Sequence, residues 1–112
     1  NIAVTDISAT SHIPDVIEAP YRPALLNEPD KGQKVMLGGP SCLAGDVIGE
    51  YNFSDIPKIG DRIALLDQAH YTMVKTSFFN GVKLPSIAIW DSQTDNLEII
   101  KSFSFKDFEN KL

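Results

Sequence analysis

Pro14, Pro20, Pro23 and Pro29 all fall inside the stretch Ile13–Pro29, and they constrain this chain more than any other feature. Each removes a backbone donor and pushes its predecessor toward extended geometry, so no long helix can run through the segment. One helical turn fits at Pro14 to Glu18, with proline at its first position. The polar segment from Asn27 to Gln33 reads as a surface loop. Further turns follow at Ser54 to Asp61, at Asn80-Gly81 and at Ser92 to Asn96, which leaves room only for short elements. Strands are expected at Asn1 to Ser8, Lys34 to Leu37, Val47 to Phe53, Arg62 to Leu66, Ser86 to Trp90 and Leu97 to Phe103, the last two forming a hairpin. Asp67 to Phe79 alternates without a clearly apolar face and reads as half strand, half irregular. Ser104-Phe105-Lys106-Asp107 is a capping-box pattern that opens a terminal helix, packing through Phe105, Phe108 and Leu112. The sum is a mainly-β chain, a Greek-key-like barrel or sandwich of about six strands with a short C-terminal helix.

The chain has 112 residues, enough for a single core but not two. It opens on Asn1 with a strand already under way, which predicts a piece of a longer protein. Fifteen Asp and Glu against ten Lys and Arg give a net charge of −5 without a basic cluster. Electrostatic capture of nucleic acid or of an anionic membrane is therefore not expected. No apolar run approaches the roughly 20 residues that span a bilayer. The single cysteine excludes a disulfide framework and points to a reducing, cytoplasmic setting.

That cysteine, Cys42, sits in Gly38-Gly39-Pro40-Ser41-Cys42-Leu43-Ala44-Gly45-Asp46, between two expected strands. Free cysteines often act as small buried hydrophobes, yet three glycines and a proline make a shaped loop. A thiol ordinarily titrates at about 8.5 and gives up its proton readily, which suits a general acid as well as a nucleophile. Neither His12 nor His70 is near it in sequence, which weighs against a Cys-His hydrolase. Asp46 reads either as a loop acid binding nearby amides or as a counter-charge for a cation. Asp6 is an acid in an apolar strand, costly to bury alone and so a candidate for a cleft. Asp15 fits a helix start or a cleft equally. Tyr71 is either a half-buried aromatic or a phenol that reaches a ligand phosphate. No spacing of Cys42, His12 and His70 suits a metal.

In order and spacing, Gly39-Pro40-Ser41-Cys42 with Gly45-Asp46, Gly60-Asp61, Ala69-His70-Tyr71-Thr72 and Phe79-Asn80-Gly81 resemble the C-terminal β-domain of the fold type III pyridoxal-phosphate decarboxylases. Within that group the stretches Ser8 to Glu18, Pro20 to Pro23, Ser41 to Asp46 and His70 to Lys75 look most like the carboxynorspermidine/carboxyspermidine decarboxylases. The resemblance implies a homodimeric enzyme of polyamine biosynthesis with active sites at the subunit interface. It implies pyridoxal 5'-phosphate held mainly by an N-terminal (β/α)8 barrel outside this chain, and a small cationic polyamine as substrate. The cofactor draws electrons from the α-carbon as carbon dioxide leaves, and that carbon must then be protonated. The family's counterpart of Cys42 reaches into the partner's site as the proton donor, and that of Tyr71 approaches the cofactor phosphate.

One departure is informative. Ornithine and diaminopimelate decarboxylases carry an acid directly after this cysteine, where the present chain has Leu43. A longer, apolar-lined channel is implied, with Asp15, Asp6 or Asp46 meeting the distal amines. No lysine here, Lys75 included, matches the Schiff-base position. Two alternatives stand beside this reading: a decarboxylase of ornithine or diaminopimelate type, and a non-catalytic β-barrel binding or oligomerisation module. The last would bury Cys42 and turn Asp46 to solvent.

Overall fold

The computed structural model describes residues 1–112. At its centre lies a three-stranded sheet in which β1 (Ile2–Val4) runs parallel to β2 (Gln33–Gly38), and β3 (Val47–Phe53) runs antiparallel along the other edge of β2. A parallel pair needs a crossover, and here that crossover is the proline-rich stretch. It holds two four-residue helices, α1 (Ala9–His12) and α2 (Asp15–Glu18). Pro14 is the N-cap of α2, one position earlier than the sequence predicts. The shorter β1 leaves room for α1, which the sequence reading ran into the strand and its end. Ser8 caps α1, its hydroxyl oxygen accepting the Ser11 N–H at 3.1 Å.

On β2, Val35 and Leu37 face inward while Lys34 and Met36 face out. On β3, Ile48 and Tyr51 are both buried although three residues apart. The register explains this: Leu37 and Gly38 pair with Gly49 and Val47, so Ile48 is the extra residue of a bulge. These side chains join Ala9, Ile13, Val16 and Leu25 in one core. Tyr51 donates its hydroxyl to the Pro23 carbonyl at 2.7 Å, and the Arg22 guanidinium lies 4.0 Å from its ring centre. Burying such a ring stabilises by about 2 kcal/mol, and the hydrogen bond removes the cost of burying its oxygen. Arg22 also pairs with Glu28, which accepts the Asn52 N–H at 2.9 Å and so ties the proline segment to β3.

Two expectations fail between Arg62 and Phe79. Arg62 to Leu66 forms no strand and pairs only through a single Leu25–Leu65 bridge. Its partner segment is bounded by Pro23 and Pro29, whose missing donors stop the ladder from extending. Asp67 to Phe79 is neither half strand nor irregular throughout. It contains α3 (Tyr71–Lys75), and a 3-10 turn follows at Phe79–Gly81. The alternation had no apolar face to bury, so nothing held it extended. Instead Lys75 fixes α3 by binding Asp15 and Glu18 of α2, at 2.8 Å from Glu18.

The expected hairpin forms from β4 (Ile87–Asp91) and β5 (Asn96–Lys101). The last helix, α4 (Phe105–Lys111), has its capping box: Ser104 accepts the Lys106 N–H, and Asp107 accepts the Ser104 N–H at 2.7 Å. Phe108 packs edge-on against Phe78 with ring centres 5.9 Å apart. Phe105 and Leu112, expected to pack, are largely exposed, because no other element reaches that side of α4. The chain is thus sheet-rich, but its five strands form a three-stranded and a two-stranded sheet that close no barrel. Ile89, Trp90, Leu97, Ile99 and Ile100 of the β4–β5 ribbon are each more than half exposed. Beside β1 an open groove of about 1100 Å³ is lined in part by Ile2, Val4, Ile7, Ile63 and Leu65. No helix is long and apolar enough to cross a membrane.

Candidate functional site

The loop from Gly38 to Asp46 leaves β2 and enters β3, and α1 holds it. Asp46 is only 5% exposed. One carboxylate oxygen accepts the Ser8 hydroxyl at 3.0 Å and the Ser41 N–H at 2.9 Å, and the other accepts the Thr10 N–H at 3.2 Å. Burial alone would raise its pKa, but the bonds from Ser41, Thr10 and Ser8 outweigh it and hold the carboxyl below the usual range. Gly39 allows this packing, since a Cβ there would overlap the Asp46 carboxylate.

His12 fastens the other side of α1. Its Nδ1 accepts the Ser8 N–H at 3.1 Å, which leaves Nε2 to donate to the Lys83 carbonyl at 2.9 Å. Both ring nitrogens are satisfied by one neutral tautomer. Burial lowers the His12 pKa, and the Lys83 carbonyl and the charges of Asp46 and Asp6 only partly offset it. Ser11 adds two bonds, its hydroxyl donating to the Phe79 carbonyl at 3.2 Å and its carbonyl accepting the Ser77 N–H at 2.8 Å. One turn of helix therefore clamps the Cys42 loop and the 77–83 segment side by side.

Across that junction Asn80 meets Cys42. Its Oδ1 accepts the Cys42 N–H at 3.1 Å, and its Nδ2 donates to the Cys42 sulfur at 3.2 Å. The thiol is exposed. Asn80 and Gly81 both take left-handed backbone, with φ of 63° and 71°, a conformation these two residue types tolerate.

The other predicted residues lie elsewhere. Tyr71 begins α3, is 71% exposed, and its hydroxyl makes no hydrogen bond within the chain. Asp15 is partly buried and bound by Lys75, while Asp6 is exposed on the rim of the groove beside β1. Asp15 and then Glu18 push the Lys75 ammonium pKa well above the usual lysine range, so this amine stays protonated. The structure thus joins Cys42 to Asp46 and adds Ser8, His12 and Asn80, which sequence reasoning passed over as functional residues. A cap signal at Ser8 was available, whereas Asn80 reads from sequence as a turn and as part of the Phe79-Asn80-Gly81 motif, with no role of its own. A buried Cys42 and a solvent-facing Asp46 would favour the binding-module alternative, and the arrangement is the reverse.

No family model matches the chain. Among curated proteins it is 43% identical to the carboxyaminopropylagmatine decarboxylase of Synechocystis sp., over 98% of this chain and 29% of that protein. It is 41% identical to the carboxynorspermidine/carboxyspermidine decarboxylase of Campylobacter jejuni, over 96% of this chain and 31% of that one. A protein of the same description from Herminiimonas arsenicoxydans is 38% identical over 100% of this chain and 30% of its own length. The crystal structure of carboxynorspermidine decarboxylase complexed with norspermidine from Campylobacter jejuni superposes with a TM-score of 0.90, at 39% identity, over 99% of this chain and 34% of that one. The chain thus spans about a third of the length of its relatives. Along its whole length, in both sequence and fold, the chain is thus similar to the C-terminal part of carboxynorspermidine/carboxyspermidine-type decarboxylases.

Proposed function

We propose that this chain is the C-terminal β-domain of a pyridoxal 5'-phosphate-dependent decarboxylase of carboxynorspermidine or carboxyspermidine, and that it presents Cys42 as proton donor to the active site of a second subunit. The observation that carries the reading is an exposed thiol, on a loop fastened from two sides, in a chain that matches decarboxylases along its whole length. Pyridoxal phosphate, bound chiefly by the preceding (β/α)8 barrel, supplies the electron sink that lets carbon dioxide leave. The residues here suit a supporting role toward it. Lys75 is held as a cation by Asp15 and Glu18 and is unsuited to forming an imine, while the Tyr71 hydroxyl is free to donate to a phosphate. Cys42 then delivers its proton to the substrate α-carbon. In this reading the open groove beside β1 and the bare faces of the β4–β5 ribbon are covered by the rest of the homodimer, which completes a Greek-key-like barrel.

For the distal amines of the substrate, Asp6 is the open acid of the three considered. Asp15 acts only if a substrate amine displaces Lys75, and Asp46 has its oxygens committed to the loop. Leu43, 41% exposed beside Cys42, favours a long apolar channel over an ornithine-type site. A second reading has carboxyaminopropylagmatine as substrate, favoured by the 43% identity with the Synechocystis enzyme.

The test uses the full-length enzyme loaded with cofactor. Cys42→Ala is expected to lower kcat by about a hundredfold, as for loss of a general acid, with KM little changed. Parental turnover in that variant would overturn the role of Cys42. Comparing kcat/KM for carboxynorspermidine, carboxyspermidine and carboxyaminopropylagmatine separates the substrate readings, and the last would prevail if it is used at least tenfold better.

A further inference from the structure

We infer that Asn80 is the positioning residue for the Cys42 thiol, its carboxamide fixing both the backbone and the sulfur of that residue. The inference deepens the proposed function and rests on Cys42 being the proton donor.

The carboxamide cannot be turned the other way. The Cys42 N–H needs an acceptor, so Oδ1 must face it, and a flipped amide would set N–H against N–H. With Oδ1 placed, Nδ2 points at the sulfur and donates to it at 3.2 Å. The sulfur is thereby held in one orientation, and negative charge developing on it as the proton departs meets an N–H already in place. Asn80 is itself fixed from the far side. Ser11 bonds to Ser77 and Phe79, and His12 to Lys83, so α1 grips the segment on both flanks of position 80. Left-handed backbone at Asn80 aims the side chain back at the loop. Asp46 holds the opposite end of the same arrangement through the Ser41 N–H, one residue before the cysteine.

Two variants of the full-length enzyme separate the parts of this contact. Asn80→Asp keeps the size, the tolerance of left-handed backbone and the acceptor for the Cys42 N–H, and replaces the N–H facing sulfur by a carboxylate oxygen, which also sets a negative charge beside the thiol. Asn80→Gly keeps the backbone conformation and removes both bonds. Both variants are expected to slow alkylation of Cys42 by iodoacetamide roughly tenfold, read by mass spectrometry of the Cys42 peptide in enzyme without substrate, and slowing in the uncharged Asn80→Gly separates loss of the N–H from repulsion by the new carboxylate. Both variants are expected to lose roughly tenfold in kcat with KM within about twofold, because the donor is misaimed while substrate still binds. Alkylation and kcat of either variant within twofold of the parent, in an enzyme that Cys42→Ala impairs, would overturn the positioning role and leave Cys42 as donor. Parental turnover in Cys42→Ala would overturn both together. Slowed alkylation and a kcat loss in both variants, alongside an impaired Cys42→Ala, establish the role.

Discussion

Asp46 shows how one of two readings of a side chain gains support from where its oxygens point. An acid beside a reactive loop suggests a ligand for a cation, and the sequence supports that as well as it supports a turn-binding acid. Three donors spaced along two separate segments bind the carboxylate as a loop acid, and two of them come from residues 36 and 38 positions away in the chain. Truncating Asp46 strands the Thr10 and Ser41 amides in a buried site, at a cost of about 2 kcal/mol for local opening. Asp46→Ala in the full-length enzyme should therefore speed hydrogen exchange at those amides roughly thirtyfold. Unchanged protection there would mean that the loop is held by other contacts. Because the carboxyl pKa is lowered in the folded state, its contribution is present at neutral pH and is lost as the pH falls through the acid range.

At the scale of elements, α1 is among the shortest pieces and the one on which most of the site depends. Four residues form no stable helix alone, so its existence is decided by what surrounds it: the Ser8 cap, the Asp46 carboxylate and the Lys83 carbonyl. This is why β2, β3, the β4–β5 hairpin and the box at Ser104 were legible in sequence and α1 and α3 were not. The former follow from local alternation, turn residues and caps, whereas α1 and α3 depend on partners far along the chain, Lys75 reaching residues 57 and 60 positions earlier. Cys42 was legible as a candidate through its loop, but its contact with Asn80 was not, because a turn signal says nothing of where the side chain points. His12 gives α1 a pH dependence whose sign is fixed by its lowered pKa. The unfolded chain binds the proton at about 6.5 and the folded one lower. Stability is thus complete above that value and declines as the pH drops below it, since a protonated Nδ1 would face the Ser8 N–H. The thermal midpoint of the full-length enzyme should fall between pH 8 and pH 5.5, and His12→Gln should flatten that decline. An equally steep decline in the variant would assign it to other groups.

Over the whole molecule, the packed part is the small sheet with the crossover folded onto it, and the β4–β5 ribbon shares no strand pairing with it. This division is not legible in the residues, since each hairpin strand has the same pattern whether its faces are covered or bare. The ribbon has a consequence for the chain in isolation. Two unpaired edges and five large apolar side chains in water are a template for strand addition between identical molecules. Produced by itself, the 112-residue chain should associate in a concentration-dependent manner, and Ile99→Lys should weaken that association. Sedimentation velocity reads both, and a monodisperse monomer at all concentrations would contradict the expectation. A ribbon whose apolar faces no other element of the chain covers is the seed of aggregation.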